Sequence, residues 1–321
     1  MRDVMPESGV TSSSSHRWPV IDALRGLAVL AMIGFHFTWD LGFFQIIPYD
    51  IAFAPEGRVL SHLIAGTFLF LVGAGLTLAH RVQLQARAFL MRFAKIAGAA
   101  ALVSLGTYFA MPEEWIFFGV LHCIAMASLL ALPFLRAPFA LVLLAAVLVL
   151  GAPFVISHPV LDQPALFWLG LNKVLPRTND YVPLIPWFGV VLMGLLAPRL
   201  ILKRAALTAR LTTPLKRRVS RGLARLGRNA LPIYLLHQPI LMAALWGFVT
   251  LAGPSVLHPA ATMEFQGTCI ASCVASGRDR ASCERACTCL GRVIAGQNLG
   301  PDATEEALSS AVGICRKEGA L

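Results

Sequence analysis

Seven long apolar stretches, separated by charged or proline-containing links, set the pattern of the chain. They fall at roughly residues 18–38, 60–80, 89–111, 115–135, 137–157, 182–201 and 230–252, and about twenty apolar residues are what a helix needs to cross a bilayer core. The pattern predicts an all-α fold: a polytopic membrane helical bundle of about seven transmembrane helices. The first span lacks a small-residue cleavage site and carries internal charges, so it reads as a resident helix and not as a cleaved signal peptide. Beyond the last span, residues 253–321 read as a small Cys-rich α-helical tail.

Composition agrees. Of 321 residues, 57% are hydrophobic and 14% charged, too apolar for an ordinary soluble domain. The net charge of +10 is concentrated in a few places. Segment 203–228 holds nine basic residues (Lys203, Arg204, Arg210, Lys216, Arg217, Arg218, Arg221, Arg225, Arg228) and no acid. Arg81, Arg87, Arg92 and Lys95 form a second acid-free stretch. Both lie between spans, as cytoplasmic loops do. This argues against nucleic acid as a partner and for anionic lipid or a phosphorylated ligand. The N-terminus, with Arg2 and Arg17, is expected inside, and the loops carrying Asp50, Glu56, Glu113 and Glu114 outside. Arg136, between Pro133 and Pro138, turns the chain on the inner side. Residues 158–181 form an outer loop, and the tail emerges on the outer side.

The cysteines give a separate check on that topology. Cys123 is alone in an apolar helix and reads as a packing residue, whereas Cys269, Cys273, Cys283, Cys287, Cys289 and Cys315 all fall in the tail. An even cluster of thiols fits disulfides in an oxidising compartment. Cys269 and Cys273, and likewise Cys283 and Cys287, are four residues apart and share a helix face, with Ser276-Gly277-Arg278-Asp279 as a turn between the pairs. A helical hairpin would join them in a nested way, Cys269 to Cys287 and Cys273 to Cys283, leaving Cys289 for Cys315. The competing reading is a zinc site, disfavoured by the spacing and the outer location; no metal is assigned.

Candidate chemistry lies inside the spans, where ionisable groups are costly and mark functional sites. Asp22, Arg25, His36 and Asp40 share one face of the first helix. Leu24, Leu27, Val29, Leu30 and Ile33 remain for lipid or packing. The bland alternative is an Arg and a His each snorkelling to its own interface. A His beside a carboxylate suits a general base, with Asp40 orienting His36. A buried Arg suits an anion, because its planar fork binds oxygens in pairs. About 16 Å of helix separates the two. An extended phosphorylated donor anchored near Arg25 could place its reactive end at His36, with an acceptor arriving from outside. His122, Asp180 and Trp187 enter from the outer side, and Asn229, Tyr234, His237 and Gln238 belong to the last span. His237 reads equally well as a hydrogen-bonded core residue. Gly73 and Gly75 are read as permitting close helix packing.

These residues fall in recognisable blocks. The run Arg17-Trp18-Pro19-Val20-Ile21-Asp22-Ala23-Leu24-Arg25-Gly26-Leu27-Ala28, followed by His36-Phe37-x-x-Asp40-Leu41, resembles the opening of bacterial membrane proteins similar to the catalytic domain of heparan-alpha-glucosaminide N-acetyltransferase. The middle motifs of that family resemble Phe117-Phe118-Gly119-Val120-Leu121-His122-Cys123-Ile124-Ala125 and Asp180-Tyr181-Val182-Pro183-Leu184-Ile185-Pro186-Trp187-Phe188-Gly189. Its closing motif resembles Gly227-Arg228-Asn229-Ala230-Leu231-Pro232-Ile233-Tyr234-Leu235-Leu236-His237-Gln238-Pro239. The resemblance covers about residues 16–250. The Arg, ten residues, then His arrangement is also similar to that of membrane-bound sugar O-acyltransferases.

The resemblance implies transfer of an acyl group, acetyl first, from acyl-CoA to a sugar or other cell-envelope acceptor. Arg25 and His36 become the motif pair, supported by Asp22 and Asp40; His122 joins the catalytic candidates. Asp180, Trp187, Asn229, His237 and Gln238 join the binding ones. In lysosomal members the motif His position is Asn and the essential His lies in the following outer loop; here no His occurs between Phe37 and Arg58. Acetyl-CoA or another acyl-CoA is expected as co-substrate, with no bound cofactor, and the lipid bilayer as a partner; homo-oligomerisation is left open. The expected organisation is a cytoplasmic segment 1–17, a transmembrane acyltransferase-like domain 18–252 and a periplasmic tail 253–321, in a bacterial inner membrane. The runner-up is a transporter or flippase for an anionic metabolite or lipid-linked sugar, although no matching interrupted helices are visible. A third reading is a structural or sensory protein whose tail is the working part.

Overall fold

The computed structural model describes residues 18–44, 46–47, 54–81, 83–252, 258–296 and 305–319. The expectations for residues 1–17, for Asp50 and for residues 253–257 lie outside the described residues. Twelve α-helices follow in order: α1 (Pro19–Phe43), α2 (Pro55–Ala79), α3 (Ala86–Ala110), α4 (Val120–Leu130), α5 (Phe139–Val155), α6 (Leu184–Ile201), α7 (Ala205–Thr212), α8 (Arg218–Arg228), α9 (Ala230–Ala252), α10 (His258–Ala275), α11 (Arg280–Gly296) and α12 (Glu305–Lys317). No strand occurs among the described residues. Each of the seven apolar stretches is helical, and α1, α2, α3, α6 and α9 are long and apolar enough to cross a membrane. The protein is an all-α, polytopic membrane protein with a disulfide-linked helical tail. The fourth stretch is helical only over α4, because Pro133 cannot continue the hydrogen-bond ladder and starts a short 3-10 turn, Pro133–Leu135. The basic segment read as a loop contains two helices, α7 and α8.

The chain packs as two units, Met1–Val29 with Ile64–Leu231 and Leu30–Leu63 with Pro232–Leu321. In the first unit, glycines bring helices together backbone to backbone. A Cβ on Gly73 of α2 would fall on the Val191 carbonyl of α6, and one on Gly194 would fall on the Phe70 carbonyl. One turn past Gly73, the buried Thr77 hydroxyl donates to the Leu195 carbonyl at 2.9 Å. Gly75 has no comparable crowding, its nearest neighbour being an Arg92 nitrogen at 3.9 Å. Gly26 of α1 and Gly227 of α8 meet in the same manner, against the Leu223 and Asp22 carbonyls. Without a hydrophobic drive between helices in lipid, such close approach supplies the dispersion contacts that hold them. Val142 and Ala146 of α5, with Val191, Leu192 and Leu195 of α6, are fully buried.

Arg199, near the end of α6, closes the α4–α5 link. Its guanidinium donates to the carbonyls of Phe134 (2.6 Å), Leu135 (2.8 Å) and Ala137 (2.9 Å). Those carbonyls sit in a turn bracketed by prolines that has no helical ladder to satisfy them.

In the second unit the tail is a stapled three-helix element. Ser276 to Asp279 reverse the chain between α10 and α11, with Gly277 at φ +87°, a conformation that glycine adopts without strain. Asp279 accepts from the Ser282 backbone N–H at 3.0 Å, capping α11. These hydrogen bonds hold the Asp279 carboxyl below the usual carboxylate range. The disulfides are Cys269–Cys287, Cys273–Cys283 and Cys289–Cys315. The first two are nested in the α10–α11 hairpin and the third ties α11 to α12. Cys123 is a buried free thiol within α4.

Two outcomes are expected. Arg199→Ala strands three backbone carbonyls and should lower stability by about 2–3 kcal/mol, given the worth of charge-assisted hydrogen bonds; thermal unfolding of the detergent-solubilised protein measures it, and an unchanged Tm would remove the link from the account. Non-reducing peptide mapping should recover the three linked pairs, and six free thiols would contradict the stapled tail.

Candidate functional site

The polar residues of the spans gather in three clusters, one in the second unit and two in the first. In the second unit, α1 is unbroken through His36 and Asp40, which stand one turn apart. They meet His237 and Gln238 of α9. The His36 and His237 rings are 4.9 Å apart between centroids and inclined at 62°. The Gln238 amide donates to Asp40 Oδ1, and Asp40 is completely buried. His237 Nδ1 lies 2.7 Å from the Tyr234 carbonyl of its own helix. Only a protonated Nδ1 can make that bond, so Nε2 of the neutral ring carries a bare lone pair. His237 Nε2, Asp40 Oδ2 and Gln238 Oε1 are buried and have no donor among the described residues. Pro239 follows at once and, lacking an N–H, leaves the Leu235 carbonyl without its helical partner.

This corrects one expectation. Asp40 is held by Gln238, and the group against His36 is the His237 imidazole. The reason is geometric: α9 crosses at the level of His36 and brings its own amide to the carboxylate. Among the described residues, no protein group hydrogen-bonds the His36 ring.

The second cluster lies around Arg25. Its guanidinium pairs with Asp22 one turn away at 2.9 Å, and both side chains are largely covered, 24% and 16% exposed. Arg92 of α3 lies within electrostatic reach of Arg25 and lines a small cavity with Leu76, Phe89, Phe93, Ile96, Ala125 and Ser128. The Ser128 hydroxyl is buried there, without a partner among the described residues. His80, just beyond α2, is held below the ordinary imidazole range by burial and then by the Arg92 charge. Sequence reading placed Arg92 among loop charges. Its position in the second turn of α3 was the available signal, since an Arg there lies inside an apolar helix as Arg25 does.

The third cluster is built by the link into α4. Gly119 N–H donates to His122 Nδ1 at 3.2 Å. Nε2 then carries the proton and faces the Ser104 hydroxyl at 3.0 Å, which in turn donates to the Ile116 carbonyl at 2.6 Å. Both nitrogens of His122 are thereby engaged, and the ring fixes the α3–α4 connection without presenting a free base. Asp180 accepts from the Val120 N–H at 3.0 Å and caps the start of α4. Beside it, the Tyr181 hydroxyl lies 2.6 Å from the Phe167 carbonyl and from the Asn172 amide oxygen. Burial pushes the Tyr181 hydroxyl up to about 12. The Trp187 ring lies against Gly66, where an added Cβ would sit 3.4 Å away. Asn229 is exposed and ends α8, its amide donating to the Arg225 carbonyl at 2.9 Å. Thus His122, Asp180 and Asn229, expected as site residues, hold local backbone. Among the described residues, no group of three metal-ligating side chains is present.

The profile of the family described as heparan-alpha-glucosaminide N-acetyltransferase, catalytic, matches residues 17–239. The match runs from just before α1 into α9, taking in Arg25, His36, Asp40, His237 and Gln238 and leaving out the tail. No curated protein and no solved structure matches the chain. With well over half of its 321 residues matched, the chain belongs to the heparan-alpha-glucosaminide N-acetyltransferase catalytic family of membrane acetyltransferases.

Proposed function

We propose that the protein transfers an acyl group, acetyl first, from acyl-CoA to an amino or hydroxyl group of a sugar or other cell-envelope acceptor, with His36 as the general base. The observation that carries this reading is the state of the His36 ring. It is half-buried, touches His237, and has no protein hydrogen bond among the described residues. An imidazole so placed is available to a substrate proton, whereas both His122 nitrogens are taken. The acceptor N–H or O–H attacks the thioester carbonyl while His36 removes its proton. The C–S bond then breaks, and the CoA thiolate leaves with the proton returned by the imidazolium. Asp40 and Gln238 are positioning residues, because their mutual bond fixes α1 against α9 at the level of the two rings.

Arg25 is assigned to the donor. Its guanidinium shares one carboxylate, Asp22, and keeps further N–H groups free for phosphate oxygens. A cytoplasmic N-terminus and a periplasmic tail in a bacterial inner membrane would put Arg25 on the side where acyl-CoA is made and the disulfides on the oxidising side. In that arrangement residues 18–252 form the acyltransferase domain and residues 253–321 an appendage.

Purified protein given radiolabelled acetyl-CoA should transfer label or release CoA; substrate uptake without CoA turnover would instead make it a transporter. His36→Ala should remain folded in detergent and lose turnover by about two or more orders of magnitude. Near-wild-type transfer by that variant would remove His36 as the base. Arg25→Lys keeps the charge and loses the paired hydrogen bonds, so CoA affinity should weaken by about tenfold; unchanged binding by calorimetry would take Arg25 out of the donor site.

A further inference from the structure

The α8 helix carries a charge pattern that the acyl-transfer reading does not use. Arg218, Arg221, Arg225 and Arg228 recur at spacings of three, four and three residues. At about 100° per residue they fall within an arc of about 80° on one face. Arg217 precedes them as the N-cap, and all five side chains are exposed. Gly227, on the opposite side of the helix, is buried against the Asp22 carbonyl of α1, and Ala224 at the flank of the row is buried as well. None of these arginines takes part in an ion pair among the described residues. A row of four like charges along about 15 Å of helix repels itself unless an anion faces it.

The chain fixes where that row lies. The α6 helix ends at Ile201 and α9 begins at Ala230, both long and apolar enough to cross the membrane. Segment 203–228 is therefore tethered at both ends to membrane helices, and α8 is packed through Gly227 on the first turns of α1. A helix with one basic face, held at that level, meets the headgroup layer.

We infer that the Arg218–Arg221–Arg225–Arg228 stripe of α8, together with Arg217, is a docking surface for the phosphate headgroups of anionic lipids. Each guanidinium offers a planar pair of donors to phosphate oxygens. The packing of Gly227 on Asp22 then ties this lipid contact to the turn of α1 that carries Arg25, so bound lipid steadies that turn.

The test uses the purified full chain in neutral detergent, titrated with phosphatidylglycerol, phosphatidylcholine or inorganic phosphate, with adducts counted by native mass spectrometry. Phosphatidylglycerol should be retained about tenfold or more over phosphatidylcholine, and raising salt should strip it. Changing Arg218, Arg221, Arg225 and Arg228 together to Gln should lower its retention about tenfold, while the corresponding Lys variant should keep most of it. Millimolar inorganic phosphate should leave the lipid in place. Equal retention by wild type and the Gln variant overturns the proposal. So does displacement by inorganic phosphate, which would make the stripe a site for soluble phosphates. Should the Gln variant misfold, salt-insensitive lipid retention by the wild type overturns it as well.

Discussion

A polar side chain inside an apolar helix has to be met by a partner, since no water is at hand to take its hydrogen bonds. That constraint organises the membrane part of this protein. Thr77 is met by the Leu195 carbonyl, His122 by Gly119 and Ser104, and Arg199 by three carbonyls of the α4–α5 link. In each case the polar group is tied to backbone or to a neighbouring side chain, and its hydrogen-bonding capacity is thereby engaged. The α1–α9 cluster differs. Gln238 and Asp40 satisfy half of each other, and three buried acceptor atoms there have no donor among the described residues. Buried acceptors left open are uncommon, and they set this cluster apart from the others.

Glycine does for the backbone what these bonds do for the side chains. The Gly73–Gly194 crossing joins α2 to α6 and the Gly26–Gly227 crossing joins α1 to α8, each at a separation that a single methyl group would prevent. The second crossing falls at the turn of α1 where Arg25 and Asp22 pair. A short, strongly basic helix is thus fastened to the one turn of α1 that carries an ion pair. Charge at the membrane surface and charge within the span become parts of one mechanical element.

The tail obeys a different rule. Among the described residues of the tail, the buried side chains are Cys283, Cys287, Cys289, Cys315, Ala286 and Ala311. An element this small cannot rely on hydrophobic burial, so covalent staples take over. The family match ends within α9 and leaves this stapled element out.

Hydropathy alone located all seven apolar helices, because crossing lipid requires a length of apolar sequence that nothing else mimics. The four-residue Cys spacing likewise corresponds to the nested pairs that the structure joins, since a helical hairpin allows little else. The common face of Asp22, Arg25, His36 and Asp40 followed from helix periodicity. What periodicity could not supply was the partner of each polar group, which depends on neighbours nearly two hundred residues away. Only the packing of α9 on α1 decided that Asp40 belongs to Gln238 and His36 to His237. Only the α3–α4 link revealed His122 and Asp180 as backbone fasteners. Sequence fixes which groups must leave water, because that is a property of each helix; which of them remain open to a substrate is a property of the contacts between helices.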